Sequence, residues 1–76
     1  MAALDKSFII DKLKLFLKQE EAEEALVKAA TMAKVPVQNN YAHDEALRLV
    51  DGLLQQGGFV EFVARNLKIQ VILNNS

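Results

Sequence analysis

The chain has 76 residues and a net charge of −1, with 51% hydrophobic and 25% charged side chains, which indicates one small globular domain and not a disordered segment. The absence of cysteine excludes disulfides, thiolate zinc sites and thiol nucleophiles, and a single histidine excludes a histidine-rich metal site. The balanced charge gives no overall attraction to nucleic acid or to an anionic membrane.

The location of the protein is predicted from its apolar segments. No apolar run reaches the length of a membrane span. The run at residues 8–10 is too short for the core of a secretion signal. We therefore expect a cytoplasmic protein.

Residues 4–18 or so form the first predicted helix, which Asp5 or Ser7 can cap. Two apolar strips run along it. The larger strip consists of Ile9, Ile10, Leu13, Phe16 and Leu17, and the smaller one of Leu4, Phe8 and Leu15. Two strips predict contacts on two sides of the helix, one of them outside the monomer.

The second predicted helix covers about residues 21–34. Its apolar stripe lies opposite that of the first helix if the two are continuous, so we predict a break near residues 19–21. Pro36 ends this helix, and Val35 and Val37 could pair briefly as an extended strand. The stripe is mostly alanine, which allows another helix to approach closely: Ala22, Ala25, Leu26, Ala29, Met32 and Ala33.

The third predicted helix, at about residues 41–56, has the clearest periodicity. Asn40 is a suitable N-cap, and Gly57, which follows the last residue of this helix, is suited to end it. Its stripe consists of Ala42, Ala46, Leu49, Val50, Leu53 and Leu54, with Leu47 at the margin.

The last predicted helix, at about residues 58–72, is apolar over more than half of its circumference, so we expect a central element covered on several sides. Residues 67–73 also alternate as a half-buried strand would, and both interpretations stay open. The fold class predicted for residues 1–76 is a single all-α domain of four helices. Phe62 and Leu53 are predicted core residues, and replacing either by alanine would destabilise the protein by about 2–5 kcal/mol.

No residues form a convincing catalytic, metal or cofactor site, and we predict a non-enzymatic protein. His43 is the one titratable candidate, but on a helix it and Asp44 point about 100° apart. The hydroxyl groups have no recognisable nucleophile context. Gly57 and Gly58 are typical of a turn, since no phosphate-loop spacing surrounds them.

The excess of apolar residues in the first and last helices is the main functional indication. Asn66 and Gln70 interrupt the apolar arc of the last helix, so they either bond to backbone within the monomer or pair across a symmetric interface. We predict a protein–protein interaction module that binds itself, as a homodimer, or another protein. The predicted partner-binding residues are Phe8, Leu15, Phe59, Phe62, Asn66, Leu67, Ile69 and Gln70.

Two alternatives remain. A small nucleic-acid-binding regulator would need a positive patch, yet the helix after the longest connection opens with Asp44 and Glu45, which phosphates repel. A small ligand-binding or enzyme accessory subunit would need a pocket with polar groups around His43, Asn66 or Gln70.

Overall fold

The computed structural model describes residues 3–73 and shows a small all-α domain, as predicted. Four helices form most of the described chain, and two strands of two residues each accompany them. In chain order the elements are β1 (Leu4–Asp5), α1 (Lys6–Leu13), α2 (Gln19–Ala33), β2 (Asn40–Tyr41), α3 (His43–Leu54) and α4 (Gly58–Leu73).

Helix α1 is shorter than the predicted helix at residues 4–18. It ends at Leu13, whose carbonyl oxygen accepts hydrogen bonds from the backbone N–H groups of Phe16 and Leu17 in the following turn. The predicted break between the first two helices therefore exists, but it lies before residues 19–21. Because Phe16 is outside the helix, it leaves the predicted core face and is 43% exposed.

The two strands were not predicted at these positions. They pair antiparallel, with Leu4 opposite Tyr41, and the expected strand residues Val35 and Val37 lie outside the pair. The side chain of Tyr41 is fully buried, and its hydroxyl donates to the Pro36 carbonyl oxygen at 2.9 Å. The same hydroxyl accepts the backbone N–H of Gln38 at 3.1 Å, so Tyr41 fixes the connection between α2 and α3.

Helices α2 and α3 begin with the same hydrogen-bonding pattern. The carboxylates of Glu21 and Glu45 accept hydrogen bonds from the backbone N–H groups of Lys18 and Ala42, at 3.0 and 3.3 Å. A glutamate at the third helical position commonly satisfies the free N–H just before a helix in this way. Ala42 is thus the N-cap of α3, and the predicted cap Asn40 belongs to β2.

One buried core takes side chains from all four helices, and α3 packs against both α2 and α4. Ala29 of α2 is fully buried at the closest approach of α2 to α3, against Gly52, as the alanine-rich stripe predicted. Met32 was predicted in this stripe but is 47% exposed, because Ala30 takes the inward position near the end of α2.

Helix α4 is helical to its end at Leu73, so the strand interpretation of residues 67–73 is wrong. Only one face of α4 is buried, and its residues are Val63, Ala64, Leu67 and Val71. The expectation that α4 is covered on several sides is also wrong, because three helices and short connections supply too little chain to surround it. A large part of its apolar surface faces solvent.

Candidate functional site

An open groove of about 430 Å³ runs between α1, the turn after it and α4. We call it the α1–α4 groove. Its lining consists of Phe8, Lys12, Leu15, Phe16, Phe62, Val63, Asn66, Leu67, Ile69, Gln70 and Leu73.

The groove exists because the two helices meet through few side chains. Helix α1 buries only Ile9 and Leu13 among its residues, and then the chain turns away. Leu67 and Val63 of α4 are buried and form the floor. Several side chains on either side of this floor, such as Leu15 and Ile69, therefore remain exposed.

Three phenylalanines close one end of the groove. The ring of Phe16 stacks on that of Phe59, with centroids 5.2 Å apart and planes 8° apart. Phe62 meets Phe16 edge to face, with centroids 5.5 Å apart. Such pairs contribute roughly 0.5–1.5 kcal/mol beyond area burial. The cluster therefore holds the turn at Phe16 against α4 and gives this end a preformed shape.

The polar side chains of the groove are Asn66 and Gln70, one turn apart on α4, and Lys12 on α1. The Nδ2 of Asn66 donates a hydrogen bond to the Phe62 carbonyl oxygen at 3.3 Å. Asn66 and Gln70 are exposed, so neither is a buried amide of the core. On α1 the Nζ of Lys12 lies 5.3 Å from the ring centroid of Phe8, a cation–π contact.

Seven of the eight predicted partner-binding residues line the groove, namely Phe8, Leu15, Phe62, Asn66, Leu67, Ile69 and Gln70. The eighth, Phe59, lies just beyond it and reaches it through its contact with Phe16. Within the set, Leu67 is buried as floor, so it supports the surface and does not project from it.

Sequence reasoning missed Lys12, Phe16, Val63 and Leu73. Phe16 was assigned to the core because the helix was extended past Leu13, and no glycine or proline marks the turn. Leu73 could have been found, since it continues the spacing of Phe62 and Ile69 along one helical face.

The prediction that Phe62 is a core residue, like Leu53, is wrong. Phe62 is 54% exposed, whereas Leu53 is fully buried. The helical period identified its apolar face correctly, but the monomer does not cover that face. Its place is in the groove.

Around His43 the structure brings together no catalytic set. His43 is partly buried, and its Nδ1 has no hydrogen-bond partner within residues 3–73, while Asp44 is exposed. Across the same residues, no three histidine, aspartate or glutamate side chains converge as metal ligands would. None of the helices described is both long and apolar enough to cross a membrane.

No family model matches the chain, and neither the curated proteins nor the solved structures gave a significant match. The function is therefore inferred from the groove and its physical chemistry.

Proposed function

We propose that this chain is a small, non-enzymatic protein–protein interaction module that forms a homodimer through the α1–α4 groove and the adjoining face of α4. One observation carries the proposal. Phe59, Phe62, Ile69 and Leu73 lie on one side of α4 and are 54–67% exposed, beside an open apolar groove. Contiguous apolar surface of this kind is typical of interaction sites.

A second copy of the chain fits this surface because each copy offers both complementary parts. The groove accepts an apolar helix, and α4 presents one. In a two-fold symmetric dimer, the same patch of both copies forms the interface, so one helix can fill the partner's groove while its own groove is filled. No further protein is needed to cover the exposed residues.

A standard interface would occupy only a modest share of the molecule. A standard interface takes about 800 Å² from each partner. The accessible surface of this chain is 4809 Å², so such an interface would cover about one sixth of it. A single small core supplies roughly 3–5 kcal/mol, and self-association is a common way for small domains to gain stability.

The charge of the groove favours an apolar partner over nucleic acid. Lys12 is the one charged residue among the described side chains that line it. Nucleic-acid binding needs several clustered cations to neutralise phosphates. The proposed dimer needs no opposite charge on its partner, and its affinity should change little with salt. A cytoplasmic location remains a prediction from the short apolar segments of the sequence.

The test is molar mass by light scattering over a concentration series at low and high salt. We expect a rise towards twice the 8.5 kDa of one chain, at both salt concentrations. Ile69→Glu, which buries a charge in the proposed interface, should stay monomeric at every concentration.

The matched control is Val27→Glu, because Val27 is a half-exposed β-branched residue of α2 outside the groove. It should dimerise as the unchanged protein does, and circular dichroism should show both variants folded. A constant 8.5 kDa for the unchanged protein would overturn the proposal. Dimerisation of the Ile69 variant would place the interface elsewhere.

A further inference from the structure

The exposed apolar side of α4 has the spacing of a coiled-coil seam. Its positions are separated alternately by three and four residues, as the a and d positions of a heptad are. We call these residues the α4 seam: Phe59, Phe62, Asn66, Ile69 and Leu73. All five are exposed, and the contacts of Phe16 with Phe59 and Phe62 lie at one end of the seam.

The α4 seam is almost symmetric about Asn66. Phe59 and Leu73 lie seven residues to either side of it, and Phe62 and Ile69 lie four and three residues away. An α-helix rises about 1.5 Å per residue, so reversing the helix about Asn66 brings the residues to the same heights within about 1.5 Å. Two antiparallel copies can therefore align along the whole seam.

We infer that two copies pair α4 against α4 in antiparallel orientation, with the two-fold axis beside Asn66. This inference rests on the proposed homodimer and specifies its geometry. Phe59 then faces the partner's Leu73, and Phe62 faces the partner's Ile69. Each aromatic ring meets a smaller aliphatic side chain, so the two helices keep a similar separation along their length.

A parallel pair fits the surface less well. It would bring both aromatic clusters to the same end, where Phe16 already stacks on Phe59 in each copy, and leave the smaller side chains of Ile69 and Leu73 at the other end. The helices would then be wedged apart at one end. Opposed helix dipoles also favour the antiparallel orientation.

Asn66 is the residue that fixes this register. Its amide has two donors and one acceptor oxygen, and the weak bond to Phe62 occupies one N–H. The oxygen and the second N–H are available to the same groups of the partner's Asn66, which satisfies both amides at the axis. In a shifted register, each amide would face an apolar side chain and lose its partner.

The charges beside the seam do not oppose this approach. Arg65 lies next to Asn66, and the Glu61 carboxylate one turn earlier binds its guanidinium in an ion pair. Two copies can therefore meet at the axis without two unpaired arginines facing each other.

Cysteine cross-linking tests the geometry, and the cysteine-free chain gives no background. The variants are Asn66→Cys, Phe59→Cys, Leu73→Cys and a control, Lys68→Cys, whose exposed position lies on another side of α4. Light scattering under reducing conditions first measures the dimeric fraction of each variant, and each cross-linking rate is divided by that fraction, because the three seam substitutions weaken the interface. Mild oxidation then reports which pairs lie within disulfide distance.

We expect Asn66→Cys to form its disulfide at least about tenfold faster than Lys68→Cys, because the dimer holds the two thiols at a high effective concentration. An equimolar mixture of Phe59→Cys and Leu73→Cys should form mainly the mixed disulfide. Each of these two variants alone should cross-link slowly.

Three outcomes would overturn the inference. Fast self-linking of Phe59→Cys and of Leu73→Cys would show a parallel pair, and a Lys68→Cys disulfide as fast as that of Asn66→Cys would show another face of α4. In both cases the homodimer stands and only its geometry is wrong. A wild-type protein that is monomeric throughout would remove the inference together with the proposed function.

Discussion

Helix α2 ends because Lys34, the residue after it, adopts a left-handed backbone conformation. Its φ of 59° lies in the left-handed region, and the next residue, Val35, donates its N–H to the Ala30 carbonyl oxygen at 3.0 Å. Pro36 predicted the end of this helix, but the turn is made two residues earlier. A residue with a Cβ is strained in this conformation, whereas glycine adopts it freely.

We therefore expect Lys34→Gly to raise the free energy of unfolding by about 0.5–1 kcal/mol, which is the strain relieved less the entropy lost by glycine. Urea denaturation at low protein concentration measures it. Lys28→Gly is the matched control, because this exposed lysine lies inside α2, and it should lower stability by about 1 kcal/mol. Equal destabilisation by both changes would contradict the explanation.

The environment of Tyr41 is set by residues far from it in the sequence. The predicted helix at about residues 41–56 places Tyr41 in its first turn. Its actual environment depends on Leu4, which is remote in sequence and pairs with it across two short strands. Residues of such different sequence position cannot be joined by periodicity, so the burial of Tyr41 was not predictable.

The contact of α2 with α3 allows no additional atoms at Gly52. A Cβ there would lie 2.6 Å from the Ala29 carbonyl oxygen and 2.9 Å from the Ala29 Cα, both backbone atoms that cannot move alone. Helix propensity favours alanine over glycine by roughly 0.5–1 kcal/mol. Packing reverses that preference here.

Gly52→Ala should therefore lower the free energy of unfolding by about 1–3 kcal/mol, since the two helices must separate. Thermal and urea denaturation measure the change. Asp51→Ala, at the exposed neighbouring position, should stay within about 0.5 kcal/mol of the unchanged protein. A stabilised Gly52 variant would mean that α2 and α3 are farther apart than described.

Among the elements, α2 and α3 were the most predictable because each repeats one apolar face over its length. The end of α1 was not predictable, because a turn hydrogen-bonded to the Leu13 carbonyl oxygen ends it without a glycine or proline. For α4 the apolar pattern was identified, but a pattern does not tell whether the rest of the chain is long enough to cover it. That is why Phe62 was assigned to the core while the neighbouring groove residues were largely predicted.

The whole molecule combines a small buried core with a large uncovered face on α4, so folding and self-association should be linked. Any partner that binds only the folded state raises its apparent stability by mass action. If that partner is a second copy, the melting temperature must rise with protein concentration. Core and seam substitutions then have different signatures.

Leu53→Ala and Phe62→Ala separate these two contributions. Leu53 is fully buried, so its truncation should lower the free energy of unfolding by about 2–5 kcal/mol at every concentration, enough to unfold most of this small domain. Phe62 is 54% exposed, so its truncation should leave a folded monomer and abolish the rise of melting temperature with concentration. Calorimetry over a concentration series measures both. Loss of folding in the Phe62 variant at low concentration would return this ring to the core of the monomer, and a retained concentration dependence would remove it from the interface.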